Sequence, residues 1–174
     1  MFPVRGLRCW PSQRATRRPA AEFIAKVKAA VAAKPDPDFV IIARTDARAV
    51  LGLDAAVERM NTALEAGADL AFLEAPQTVE EAAAVPKLVR GPCLLNLSIG
   101  GRTPLRDLAE AERAGYRIVI VPGLLLQEAM SAFAASLNAL KTERRLPAAT
   151  VDVRERLRRI GAAEWDALRD RFKA

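Results

Sequence analysis

The sequence predicts a parallel α/β fold, and three observations carry that prediction. Four short apolar runs begin near residues 39, 69, 92 and 117, a rhythm of roughly 25 to 30 residues. Between them lie stretches with helical periodicity rather than turn-rich linkers. The first run, "FVIIA", is β-branched and apolar at successive positions, the pattern of a strand covered on both faces of a parallel sheet. Strands that alternate with helices in this way join through right-handed crossovers.

The elements follow in order. Pro19 suits a first helical turn, and "AAEFIAKVKAAVAAK" then sets Phe23, Ile24, Val27, Ala30 and Val31 on one face. Pro35 and Pro37 end that helix and turn the chain into "FVIIA". "GLDAAVERMNTALEAGA" is a helix closed by Gly67, and "LAFLEA" is the second strand. "TVEEAAAVPKLVRG" is helical, with Pro86 near its middle or at a break, and "CLLNLS" is the third strand. "TPLRDLAEAERAGY" reads as a helix with Thr103 as N-cap, Pro104 at its first position and Gly115 after its end. "RIVIV" is the fourth strand, and "LLLQEAMSAFAASLNALKTERR" is a long helix. Beyond Pro147 two short helical segments, "DVRERLRRI" and "AAEWDALRDRF", flank Gly161.

Composition narrows the function. The 174 residues suffice for one domain with a real core, and half of them are hydrophobic. No apolar run reaches the ~18 residues a membrane helix needs. "MFPVRGLRCWPSQ" has no continuous apolar segment of the kind a secretory signal carries, so a cytoplasmic location is expected. Cys9 and Cys93 stand far apart and form neither a metal-type spacing nor a disulfide framework. The chain has no histidine, which removes histidine as base, ligand or triad member. The net charge of +6 points to nucleic acid only at first sight. Arg5, Arg8, Arg14, Arg17 and Arg18 supply +5 of it, and residues 20–174 are nearly neutral. The leader lacks a folded basic face and an aromatic platform, so a solvated tail is the preferred reading and nucleic acid is not an expected partner.

In parallel α/β folds ligands sit at the carboxyl ends of the strands. The first strand ends in Arg44, Thr45 and Asp46, the second in Glu74, and the third in Asn96 and Ser98 before Gly100 and Gly101. Strand alternation puts Arg44 and Asp46 on one side and Thr45 on the other. Arg44 suits a bidentate clamp on a substrate carboxylate, Glu74 an orienting or proton-moving role, and Asn96 a donor to a carboxylate or enolate oxygen. Blander readings stand beside these: a local Arg44–Asp46 ion pair, a loop-capping Glu74 and a turn at Ser98. "DPD" at 36–38 precedes its strand and contains proline, so it is not assigned a metal.

"DFVIIARTDA", "GLDAAVERMNTALEAGADLAFLEAP", "CLLNL" and "AGYRIVIVPG" together resemble the isocitrate lyase and phosphoenolpyruvate mutase superfamily, over residues 20 to about 172. The resemblance implies a (β/α)8 barrel that acts on small 2-oxo or 2-hydroxy carboxylates with Mg²⁺ and cleaves or forms C–C or P–C bonds through enolate-type species. On this match Arg44 contacts substrate, Glu74 belongs to the active-site wall and Asn96 to the carboxylate-binding set. The expected site therefore has Arg44 and Glu74 as catalytic residues and Arg44, Asp46, Asn96 and Ser98 as substrate-binding residues. The family barrel has eight strands, and this chain supplies what resemble strands five to eight with the closing helices. The family's aspartate-rich Mg²⁺ segment and its Lys-Cys-Gly-His-type loop have no counterpart here. Cys9 occurs, but no Gly-His follows it.

The expected organisation is therefore a leader over residues 1–18, disordered or translated out of frame, and a partial (β/α)8 barrel over residues 19–174. The leader's arginines and prolines are what a shifted frame of a GC-rich gene yields readily. The expected function is that of a lyase-family fragment whose Mg²⁺ ligands lie outside this chain. The alternative is a non-catalytic partner chain that completes a barrel with an N-terminal half. The family's exchange of C-terminal helices implies homo-oligomers through residues 152–172, where Trp165, Leu168 and Phe172 form a stripe.

Overall fold

The computed structural model describes residues 19–98, 107–146, 148 and 151–173. The leader, Gly100, Gly101, Thr103 and Pro104 lie outside these residues. The chain divides into two compact units, one ending at Leu125 and one beginning at Leu126.

In the first unit, α1 (Ala20–Ala32) opens on Pro19, whose carbonyl accepts from the amides of Glu22 and Phe23. Val27 is its one fully buried side chain, while Phe23, Ile24 and Val31 are partly covered. Ala30 is exposed, so the buried stripe is narrower than the periodicity suggests. Strand β1 (Ile42–Thr45) starts later than "FVIIA" predicts. Phe39 and Val40 precede it and are exposed, following a turn around Pro37 in which the Asp36 carboxylate accepts from the Asp38 amide. A single helical turn, α2 (Arg48–Leu51), follows β1, and sequence periodicity did not disclose it.

The helix α3 (Leu53–Glu65) packs on both β1 and β2 (Leu70–Leu73). Ala56, Met60 and Ala63 form its buried face at the i, i+4, i+7 spacing. The turn into β2 needs Gly67 at φ 101°, where a Cβ would also sit 2.9 Å from Val31 Cγ1. Asp69 then pins two elements. Its carboxylate accepts from the Ile41 amide at 2.7 Å and from Lys34 Nζ at 2.9 Å. The Ile41 amide first, and Lys34 second, hold its pKa below the usual carboxylate range.

Helix α4 (Val79–Leu88) begins on Thr78, whose side chain accepts from the Glu81 amide. Pro86 lies inside this helix without ending it. Proline has no N–H to give the Ala82 carbonyl, and the hydroxyl of buried Tyr116 donates to that carbonyl instead, at 2.8 Å. Strand β3 (Leu94–Asn96) leads to α5 (Leu108–Ala114) and β4 (Ile118–Ile120). The α5 start differs from the expectation: Asp107, in extended conformation, is its N-cap and accepts from the Glu110 amide. Gly115 at φ 104° closes it, as expected.

The strands pair in chain order and all in parallel. β1 pairs with β2, β3 with β4, and a parallel bridge between Ala71 and Cys93 joins the two pairs. One sheet face packs on the helices through Ala43, Thr45, Ala71, Leu73, Cys93, Leu95 and Leu97. The other is open at β1 and β4, although Phe72 and Leu94 on it are buried, which corrects the expectation that the first strand is covered on both sides. Ile42, Ile118 and Ile120 on that face are 43, 38 and 37% exposed.

The second unit is helical: most of α6 (Leu124–Glu143), then α7 (Val153–Arg159) and α8 (Ala162–Arg171). Asp152 caps α7, and Gly161 at φ 75° separates it from α8, as the sequence suggests. None of the three helices has a buried residue. Among the described residues no helix is long and apolar enough to cross a membrane.

Candidate active site

The register of the strands builds the site. Arg44 lies level with Phe72, and Leu94 with Ile118. One step further toward the carboxyl ends come Asp46, Glu74, Asn96 and Ile120. All point to the open face, because side chains two residues apart share a side. The opposite phase, Thr45, is buried, as strand alternation predicts; its hydroxyl accepts from the Ala47 amide at 3.2 Å.

Arg44 is the centre of the row. Its Nε donates to Asp46 Oδ1 at 2.8 Å, its Nη2 lies 3.6 Å from Glu74 Oε2, and its Cζ stands 5.0 Å from the centre of the Phe72 ring. The expected ion pair with Asp46 thus exists, but it does not use up the guanidinium, half of whose side chain stays exposed. Burial works against the Arg44 charge. The hydrogen bond and charge of Asp46, with the charge of Glu74, outweigh it and raise the pKa above the ordinary guanidinium value. The side chain is a permanent, pre-oriented cation.

Glu74 is nearly buried, and its amide donates to the Thr45 carbonyl at 2.9 Å. Asn96 Nδ2 approaches its carboxylate at 3.4 and 3.5 Å, while Asn96 Oδ1 is buried with no hydrogen-bond partner. Directly after Glu74, Ala75 holds φ 56°, the left-handed region that a residue with a Cβ rarely adopts, and Pro76 follows it fully buried. Strain of this kind gathers at functional sites because the surroundings must over-determine it. Ser98, half-buried beyond β3, does not join the hydrogen bonds of Arg44, Asp46, Glu74 and Asn96. Phe72 was missed in the sequence; its signal was its two-residue offset from Glu74 on a strand.

The described residues do not form a Mg²⁺ site. No group of three or more His, Cys, Asp or Glu among them is placed to hold a metal ion. The two carboxylates of the row, Asp46 and Glu74, both lean on Arg44. With one cation and two anions the row carries a net charge of −1 when both acids are ionised.

A match to the phosphoenolpyruvate phosphomutase family covers residues 10–141, three quarters of the chain. The chain belongs to the phosphoenolpyruvate mutase/isocitrate lyase superfamily. Similar members include 2,3-dimethylmalate lyase of Eubacterium barkeri, 43% identical over 122 residues that make up 70% of this chain and 42% of that enzyme. The 2-methylisocitrate lyase of Halalkalibacterium halodurans is 41% identical over 123 residues, 71% of this chain and 41% of that enzyme. Among solved structures, 2,3-dimethylmalate lyase superposes with a TM-score of 0.80 at 31% identity, over 89% of this chain and 56% of that one. Phosphonopyruvate hydrolase in complex with oxalate and Mg²⁺ superposes with a TM-score of 0.78 at 29% identity, over 94% of this chain and 59% of that one. This superfamily member therefore spans about two fifths of the length of these curated relatives.

Proposed function

We propose that the chain forms the carboxylate-binding part of a lyase site, as the C-terminal half of a (β/α)8 barrel, strands five to eight. The observation that carries the reading is the Arg44 row. A half-exposed guanidinium stands at the carboxyl end of a parallel strand, with Glu74 and Asn96 converging from the next two strands. Arg44 clamps the carboxylate of a small 2-oxo or 2-hydroxy acid and stabilises the enolate charge that develops when the adjacent C–C bond breaks. Glu74 orients the substrate or moves a proton, and Asp46 holds the fork in place. The partnerless Asn96 Oδ1 is an acceptor in need of a donor, which a polar ligand group or an ordered water supplies. The relatives' names support the substrate class: they are lyases of dimethylmalate and methylisocitrate.

The charge of the row sets a limit. A dicarboxylate approaching a row that carries −1 when both acids are ionised needs further positive charge beyond Arg44. Binding is therefore a property of a completed site. The test titrates oxalate and oxaloacetate into the chain, with and without a separately supplied N-terminal half of 2,3-dimethylmalate lyase. Binding appears with the added half, and Arg44→Lys weakens it by about tenfold or more, since lysine loses the planar fork while the fold is kept. Equal affinity of the two versions would leave Arg44 a structural residue. The exposed Ile42, Ile118 and Ile120 favour a second reading, a partner chain that completes a barrel without catalysing. In that case the two halves assemble without binding or turning over either acid.

A further inference from the structure

Arg44 stands in β1 and Asp46 directly beyond it, whereas Glu74 stands on the loop after β2. Something must fix these two strand ends against each other. Their backbones are joined by the bond from the Glu74 amide to the Thr45 carbonyl. A second, side-chain connection lies a few residues further out. Arg48, at the start of α2, reaches across to Glu81 in the first turn of α4. Its Nε donates to Glu81 Oε2 at 2.8 Å and its Nη2 to Oε1 at 2.5 Å, and Nη2 also donates to Gln77 Oε1 at 3.2 Å. Glu81 Oε2 in turn accepts from the Gln77 backbone amide at 2.8 Å. Both charged side chains are largely buried, 16 and 19% exposed.

The geometry points to Arg48 as a positioning residue: we propose that its two-pronged grip on Glu81 holds the segment Glu74–Gln77 in the shape that aims Glu74 at Arg44. The proposal rests on the reading of the Arg44 row as a carboxylate site. Gln77 is held by its side chain and its amide at once, three residues beyond Glu74. Between them sits Ala75 at φ 56°, a conformation that relaxes unless both flanks are fixed. Thr78 adds a third anchor by accepting from the Glu81 amide, so the same glutamate that Arg48 grips is also fixed to the helix start. A lysine at position 48 keeps the charge but offers no fork for two carboxylate oxygens.

The test combines a local and a functional readout on the full chain. Hydrogen exchange of the amides of Glu74, Ala75 and Gln77, above all Gln77, is compared in the wild type, Arg48→Lys, Arg48→Ala and the exchanged pair Arg48→Glu with Glu81→Arg. Oxalate affinity in the presence of the supplied N-terminal half is measured on the same proteins. Faster exchange confined to 74–77 is expected in Arg48→Lys and Arg48→Ala, with at least partial recovery in the exchanged pair. Oxalate affinity should fall by roughly tenfold or more, the size of one lost charge-assisted hydrogen bond, while the thermal midpoint of Arg48→Lys stays close to the wild type. Unchanged exchange at Gln77 in both single variants would overturn the proposal, as would faster exchange with unchanged oxalate affinity. If the wild type itself binds no oxalate, the carboxylate reading fails, and exchange at 74–77 then decides by itself whether Arg48 holds the loop. If Arg48→Ala does not fold, Arg48→Lys carries the same comparison.

Discussion

The unit that ends at Leu125 and the helices that follow it are both rich in apolar residues, yet they use them differently. In the first, Met60, Val85, Cys93 and Leu95 are fully buried between a sheet and its helices. In the second, Leu126, Met130, Phe133, Leu137 and Leu140 of α6 follow a 4-3-4-3 spacing and are all exposed, as are Trp165, Leu168 and Phe172. The α7 helix is capped by Asp152 and laced by Glu155 to Arg158 and Arg159. Local signals suffice to make a helix, but a core needs a second layer at the right distance. A stripe of this spacing is the pattern by which helices pack on one another.

The largest expected effect tests that stripe. In size-exclusion chromatography with light scattering, the chain should run as a dimer or larger species. Leu137→Asp together with Trp165→Asp should shift it toward the monomer. A wild-type monomer that melts cooperatively would show that the exposed helices need no partner. The same contrast appears in truncations. Met60→Ala should cost about 2–5 kcal/mol, since it empties a closed site. Leu137→Ala should cost no more than about 0.5 kcal/mol in a monomer. If denaturant melts show a concentration-dependent cost for Leu137→Ala well above that, the residue is buried in an assembly.

Tyr116→Phe should be next in size, at about 1–3 kcal/mol, because it strands the Ala82 carbonyl beside Pro86. The decisive partner is Pro86→Ala, which restores an N–H to that carbonyl. Tyr116→Phe should cost clearly less in that background, and equal costs in both would rule out the exchange of donors.

The smallest effect is the response to pH. Burial pushes the Cys93 thiol up from 9.0 to about 11, and burial raises the Tyr116 hydroxyl too. Both groups keep their protons in the fold at a pH where the unfolded chain has lost them. Their stabilising contribution is complete below the unfolded value and is lost as pH rises through the folded one. The urea midpoint should therefore hold steady to about pH 8 and decline above about pH 9. Cys93→Ala should decline less steeply, and a slope identical to the wild type would remove the thiol from the account. On the acid side the sign reverses. Glu81, lowered first by the Arg48 hydrogen bond and then by the Gln77 amide, contributes above the ordinary carboxylate range and loses this as pH falls through its lowered value.

The sequence by itself determined the alternation of strands and helices, the family, and the carboxyl-end row of Arg44, Asp46, Glu74 and Asn96. Those features are local: periodicity, capping residues and strand alternation act within a few positions, so the letters carry them. It misplaced the start of β1, because Phe39 and Val40 are as apolar as the strand they precede. Three other features came from contacts distant in the chain and were decided by the tertiary structure alone. One is the open sheet face, which depends on what does or does not pack against it. Another is the Tyr116 hydroxyl on a carbonyl orphaned by a proline 30 residues earlier. The last is the grip of Arg48 on Glu81 across 33 residues. No periodicity encodes such pairs, since each partner is an ordinary helix or loop residue until the fold brings the two together.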